Sequence, residues 1–191
     1  MTEPRSKISA ERAKQICKRF DVSDTGAALL TPELTPLPFL EALLEARAFV
    51  DAVNFLAFGL PKREAVWWAS VSLRAAGAAP SGPAHEAVSA AEEWVRRPSE
   101  ENRIAAGERA ERLPQDQPAG WAAWGAFWSG GSMTPPNSPP VPPGATLTAK
   151  AVAGAVTLAA AKDPKRAQER FAQFIALGKD IALGGNGRLK A

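Results

Sequence analysis

The chain has 191 residues, of which 46% are hydrophobic and 23% are charged, and this ordinary globular balance excludes a disordered chain. The length favours one domain over two. Lysine and arginine (23) slightly exceed aspartate and glutamate (20), for a formal net charge of +3. Because both signs are interspersed and form no basic stripe, we predict no nucleic-acid partner.

The composition favours helices, since alanine, leucine, glutamate, arginine and lysine are abundant and strand formers are few. We expect a single all-α domain over residues 1–191, about 60–65% helical, well above the globular average. Seven to eight helices should pack largely as antiparallel pairs. The chain ends, about 1–8 and 185–191, are expected to be flexible tails.

The sequence shows no membrane or export signal. Residues 1–24 are too polar to contain the apolar core of a signal peptide. The longest charge-free apolar run, residues 151–161, has about half the roughly 20 residues that a bilayer requires. We therefore predict no membrane association and a cytoplasmic location.

Most predicted helices begin at a proline, which is favoured at the first helical position because its missing N–H would have no intrahelical partner there. Asp163-Pro164 is the clearest predicted start, and Gly184-Gly185 the clearest end. A short turn is expected around residues 26–30. The eight predicted helices cover residues 9–20, 38–58, 61–76, 83–96, 98–113, 118–128, 146–161 and 163–183.

Two of these helices have distinctive apolar patterns. In 38–58, apolar residues from Phe39 to Ala57 step by 4 and 3, which predicts one continuous helical face. The helix over 61–76 is apolar almost all round and should be central in the domain. Its narrow polar stripe is predicted to contain Arg63, Ser70 and Arg74, opposite a buried Trp68.

Tryptophan is concentrated in two clusters, residues 61–69 and 120–132. Trp121, Trp124 and Trp128 lie at i, i+3 and i+7, on one side of their helix. These rings are interpreted either as core packing or as a partly exposed aromatic platform beside a proline-rich extended connection at about 130–145. We expect residues 133–143 to form an ordered strap with prolines against the tryptophan rings. The candidate interaction surface comprises Arg63, Trp67, Arg74, Trp121, Trp124, Trp128, Pro135, Pro136, Pro139 and Pro140.

Little in the sequence supports catalysis. His85 is the only histidine and Cys17 the only cysteine, which are too few soft ligands for a metal site and too few groups for a catalytic triad. The glycine-rich spots lack the lysine of a phosphate loop. We predict no catalytic, cofactor-binding or metal-binding residue, with Cys17 as a small buried hydrophobe and His85 exposed and inert.

Residues 61–69, 120–132 and 147–154 resemble segments of an uncharacterised family of small bacterial proteins, a helical domain of unknown function. The resemblance extends from about Phe39 to Leu183. It implies no activity, no cofactor and no site residue. Because some relatives lie near genes for contractile secretion machinery, it implies a non-catalytic accessory role.

The function expected from the sequence is a non-catalytic protein-interaction module, a bacterial adaptor or chaperone-like accessory protein of a secretion system with an unidentified protein partner. The alternative is a small-molecule binder or small enzyme with an apolar pocket, lined by tryptophan and arginine, between helices. An exposed contiguous apolar patch favours the first function. A deep pocket with convergent polar groups favours the second.

Overall fold

A computed structural model of the chain describes residues 6–79, 81–135 and 137–187. The fold is all-α, as predicted: 63% of the described residues are helical and none of them forms a strand. The ten helices of these residues are α1 (Ala13–Cys17), α2 (Asp24–Leu29), α3 (Pro36–Glu45), α4 (Phe49–Gly59), α5 (Lys62–Ala75), α6 (Gly82–Arg96), α7 (Glu100–Ala110), α8 (Pro118–Phe127), α9 (Leu147–Ala161) and α10 (Ala167–Ala182).

Start and stop signals of the predicted kinds are found at several helix ends. Proline occupies the first turn of α3, α6 and α8. After α10, Gly184 takes a left-handed φ of 93° and the N–H of Gly185 donates to the carbonyl of Asp180 (2.8 Å). This arrangement satisfies carbonyls at the helix end that would otherwise lack partners.

The predicted continuous helix over 38–58 is wrong, since the chain forms two helices, α3 and α4. The break is at Arg47, which has a left-handed φ of 56°. The N–H of Ala48 donates to the carbonyl of Leu43 (2.9 Å), which closes α3 in the manner that glycine usually allows. The predicted apolar face is interrupted there, and Val50 is 53% exposed.

Two other predicted helices begin later than expected, because groups near their predicted first turns make other hydrogen bonds. The predicted 9–20 helix is only the short α1, since the N–H of Ala13 donates to the carbonyl of Leu34 (2.8 Å) in the following connection. Asp163 caps a turn instead of α10: its side chain accepts from the N–H of Lys165 (3.1 Å). The expected turn near residue 26 is the short α2, whose first turn is capped by Ser23.

Helix α5 is central, as predicted, and packs against α6, α8, α9 and α10. Trp68 is fully buried, and its Nε1 donates to the carbonyl of Phe174 in α10 (2.7 Å). Gly178 makes room for this indole, because a Cβ there would lie 2.8 Å from the ring. Ser70, predicted on the polar stripe, is instead fully buried and donates to the carbonyl of Val66 (3.0 Å).

Several residues of the expected flexible tails have hydrogen-bond partners in the fold. The N–H of Lys7 donates to the carbonyl of Ala182 (2.7 Å), and that of Gly187 to Oδ2 of Asp180 (2.8 Å). Residues 1–5 and 188–191 of those tails lie outside the described residues. None of the helices in the described ranges is long and apolar enough to cross a membrane.

Candidate functional site

Three indoles form one contiguous cluster on α8, which we call the Trp face (Trp121, Trp124 and Trp128). Trp124 and Trp128 stack with ring centroids 5.1 Å apart and planes 16° from parallel. Trp121 meets Trp128 edge to face at 6.4 Å. Trp121 and Trp124 pack on the core at their inner edges, and all three rings are partly exposed. This is the arrangement that the platform interpretation expects.

The opposite side of α8 consists of small buried residues, which explains why the rings face outward. Four alanines that are at most 1% exposed form this side, namely Ala119, Ala122, Ala123 and Ala126. The flanking Gly125 is so close to α9 that a Cβ there would lie 3.3 Å from Val152. Helix α8 is therefore closely packed against α5, α6, α7 and α9. The three indoles lie on the remaining side, which is only partly covered.

The Trp face borders a groove of about 260 Å³ beside the α7–α8 connection. Leu113 and Pro114 form its other wall. The indole N–H of Trp121 donates to the carbonyl of Gln115 (2.7 Å) and thereby fixes this connection. Within the described ranges, the indole N–H groups of Trp124 and Trp128 have no hydrogen-bond acceptor, so both can donate to solvent or to a partner.

Phe127 extends the Trp face toward the buried Arg103, and we call the Trp face together with Phe127 the aromatic row. Trp124 meets Phe127 edge to face at 5.5 Å, and the guanidinium of Arg103 lies 4.6 Å from the Phe127 ring. Arg103 is 4% exposed and donates to Glu100 (2.7 and 2.6 Å) and to the carbonyls of Phe127 (2.7 Å) and Ser132 (2.9 Å). The hydrogen bond from Arg103 lowers the pKa of Glu100. Arg103 thus joins α7, the end of α8 and the proline-rich connection. No sequence pattern marks Arg103 or Phe127 as a site residue, because their contacts join distant segments.

The proline-rich connection is a loop closed at its base. The N–H of Met133 donates to the carbonyl of Val141 (2.8 Å), and the N–H of Val141 donates to Oγ of Ser132 (3.0 Å). Val141 itself is 45% exposed. The loop is therefore held by its own polar groups and by Arg103.

The strap prediction is wrong in its contact partner. Pro135 and Pro140 line a groove of about 660 Å³ that is formed with α7 and the Phe127 ring, not with the three indoles. Pro135, Pro139 and Pro140 are exposed. Pro136, also named as a candidate, lies outside the described residues. The Trp face and the prolines are therefore neighbouring surfaces that the Phe127 ring separates.

The remaining candidates lie elsewhere. Arg63 and Trp67 line a separate groove of about 340 Å³ that shares no residue with the groove of the Trp face. The Nε of Arg63 donates to the carbonyl of Val95 (2.6 Å), and the indole N–H of Trp67 to that of Asn186 (2.9 Å). Both side chains therefore already hold neighbouring segments together.

Arg74 has a structural role between α5 and α6. Its Nε and Nη2 each donate to Glu92 at 3.0 Å, and Nη2 also donates to Oγ of Ser89 (3.0 Å). Its Nη1 lies 2.9 Å from Nδ1 of His85 and donates to the carbonyl of Ala79 (3.3 Å). Its donors are therefore used within the chain, where they join α5 to α6 and to the connection between them.

The side chains that could act as nucleophiles or metal ligands differ in their burial. Cys17 is buried, and burial together with the negative charge of Asp51 raises its pKa to about 11. His85 is exposed on α6. Asp51 is itself buried and accepts hydrogen bonds from the N–H and Oγ of Ser23. Across the described part of the chain, no cluster of three or more histidine, cysteine, aspartate or glutamate side chains is placed to hold a metal ion.

Comparison with known proteins assigns a family and no activity. No curated protein sequence and no solved structure matches the chain. A family model matches residues 39–182, which include α4–α10, the Trp face and Arg103. Since this match covers well over half of the chain, the protein belongs to DUF6931, a family of unknown function.

Proposed function

We propose that the chain is a non-catalytic protein-interaction module that binds a protein partner through the Trp face. The observation that carries this proposal is the contiguity of three partly exposed indoles on one helix. Tryptophan is among the residue types that are enriched where partners bind tightly, because it offers a large apolar area and a polar N–H. An exposed cluster of such rings is typical of an interaction surface.

The rigidity of the Trp face supports the same proposal. Trp121 is fixed by its hydrogen bond to Gln115, and Trp128 is held by stacking on Trp124. Rings that are already ordered lose little conformational entropy when a partner covers them. The free N–H groups of Trp124 and Trp128 would set the orientation of the partner.

We extend the proposal to an adaptor or chaperone-like accessory role in the bacterial cytoplasm, alongside a secretion system. The support for this extension is the family resemblance of residues 61–69, 120–132 and 147–154. Adaptors and chaperones act by surface complementarity and need no catalytic residues. The Trp face provides such a surface, whatever the partner's wider assembly.

Site-specific photo-crosslinking tests the proposal. A benzophenone amino acid placed at Trp128 should capture a defined protein in cells that produce the chain, whereas one placed at Val50, exposed on α4, should not. A Trp124→Ala substitution should abolish the crosslink while circular dichroism remains unchanged. Equal capture at both positions, or capture that persists in Trp124→Ala, would show that the Trp face is not the binding surface.

A second candidate function is a small-molecule binder at the groove beside Arg63 and Trp67. The observation that favours it is a groove of about 340 Å³ lined by one tryptophan and two arginines, the second being Arg96. It is the weaker candidate, because two of its polar groups already donate to backbone carbonyls. A ligand that raises the melting temperature of the wild type and of Trp128→Ala, but not of Trp67→Ala, would support it.

A further inference from the structure

A fourth groove, of about 600 Å³, lies next to the Trp face, and we call it the basic groove. It is formed by the residues that follow α1 and by the facing sides of α4 and α9. Three cationic side chains line it, those of Lys18, Arg19 and Lys150, together with the single carboxylate of Asp21. The local charge is therefore positive, and it comes from segments more than 130 residues apart in the chain.

These three cations have no ion-pair partner among the described residues, whereas many other cations of the chain do. Arg19 is nevertheless held in place: its Nη1 donates to the carbonyl of Phe58 (2.6 Å), and its guanidinium lies 5.7 Å from the Phe58 ring. An ordered arginine beside two unpaired lysines attracts carboxylates or phosphates, because a bound anion relieves the repulsion among the cations.

The basic groove adjoins the Trp face through the contact between Gly154 and Trp121. Gly154 lines the groove, and a Cβ at this position would lie 3.7 Å from Cδ2 of Trp121. Trp121 in turn lines the groove of the Trp face. One extended segment can therefore lie on the indoles and continue past Gly154 to the cations. Asn54 and Thr157 provide uncharged polar groups in the lining of the basic groove.

We infer that the partner binds through an acidic peptide segment. An apolar side chain of that segment packs on the Trp face, and its aspartate or glutamate carboxylates lie in the basic groove. This inference rests on the proposed function and specifies the chemistry of the partner. The charge complementarity selects an acidic segment, while the indoles supply most of the binding free energy.

The indole geometry favours a peptide over a single-stranded nucleic acid. Proteins that bind single strands stack bases on free aromatic faces. Trp124 and Trp128 stack on each other, and Trp121 lies over Gly154, so their faces are already partly covered. Three cations beside one carboxylate also form too short a track for a polyphosphate backbone.

The experiment is selection of a random 12-residue peptide library on the immobilised full chain. Selected peptides should be enriched in aspartate and glutamate around an aromatic or leucine residue, and their affinity should fall as NaCl concentration rises. A Lys18→Glu/Lys150→Glu variant should bind a selected peptide about tenfold or more weakly. The matched control is Lys162→Glu/Lys165→Glu, which makes the same change of net charge outside the groove and should leave affinity unchanged.

Each alternative outcome has a distinct meaning. Peptides that lack acidic enrichment, or that bind the Lys18→Glu/Lys150→Glu variant equally well, would overturn the acidic-segment inference. The proposed function would survive this result if Trp128→Ala still abolished binding. If the selection yields no binding peptide and the chain binds single-stranded oligothymidylate, both the proposed function and the acidic-segment inference are overturned in favour of a nucleic-acid ligand.

Discussion

Gly107 of α7 faces the Phe127 ring of α8 so closely that a Cβ at position 107 would lie 2.6 Å from Cδ2 of Phe127. The ring has little freedom to move away, because Arg103 lies over one side of it and Trp124 meets it edge to face. The absence of a side chain at Gly107 therefore sets the distance between α7 and α8, and with it the position of the aromatic row.

A Gly107→Ala substitution should destabilise the chain. Overpacking costs about 1–3 kcal/mol and the better helix propensity of alanine returns about 1, so we expect a net loss of up to roughly 2 kcal/mol. Urea unfolding measures this loss of unfolding free energy. Gly130→Ala is the control, since a Cβ there meets no atom within 4 Å. Equal stability of the two variants would mean that the Phe127 ring relaxes freely.

The two adjacent tryptophans of α5 should differ in their contributions to stability. Trp68 is fully buried, whereas Trp67 is partly exposed at the edge of the core. Trp68→Ala should lower the free energy of unfolding by about 3–5 kcal/mol, the usual cost of removing a buried aromatic ring. Trp67→Ala should cost clearly less. Comparable losses in denaturant unfolding would contradict this assignment of core and edge.

Replacing Arg103 should loosen the proline-rich loop. Arg103→Met removes the donors to the carbonyls of Phe127 and Ser132, while the exposed Glu100 can be hydrated. We expect a loss of about 3 kcal/mol and faster proteolysis between residues 129 and 146. Arg103→Lys should be intermediate, because it keeps the charge but not the fork of donors. A loop as resistant as that of the wild type would show that Arg103 does not anchor it.

The Glu100–Arg103 pair should make stability depend on pH. The folded-state pKa of Glu100 is lowered by its hydrogen bond with Arg103. The stabilisation that the ionised Glu100 provides is therefore present above the ordinary glutamate pKa of about 4.3 and is lost as pH falls through the lowered value. The stability difference between wild type and Glu100→Gln should be constant from pH 7 to about pH 5 and should close below it. In an Arg103→Met background, the stability difference between Glu100 and Glu100→Gln should not decrease in this way as pH falls.

Cys17 and His85 should be chemically idle. Because burial raises the pKa of the Cys17 thiol to about 11, iodoacetamide at pH 8 should alkylate the folded chain far more slowly than the chain in 8 M urea. Stability linked to this thiol should fall as pH rises from about 8.5, the pKa of an unfolded cysteine, through the folded value. His85→Ala should leave partner binding within a few-fold. Rapid alkylation of folded protein, or loss of binding in His85→Ala, would contradict these expectations.

Local features of the sequence were sufficient to predict most of the helices. Proline in a first turn and glycine after a last turn act through the backbone of a few neighbouring residues, so they can be identified without knowing the fold. The burial of Trp68 and of the apolar residues of α10 followed equally from helical periodicity. The same periodicity placed Trp121, Trp124 and Trp128 on one side of α8.

Other features depend on contacts between distant segments. The stop at Arg47 has no local signature, because the residue that adopts the left-handed conformation is not glycine. Periodicity put three indoles on one side, but only the packing of α5, α6, α7 and α9 on the small residues of α8 decided that this side stays exposed. The meeting of Lys18 and Arg19 with Lys150 likewise exists only because α1, α4 and α9 converge. A site of this kind is determined by tertiary structure, since its charges are brought together by apolar packing in which they take no part.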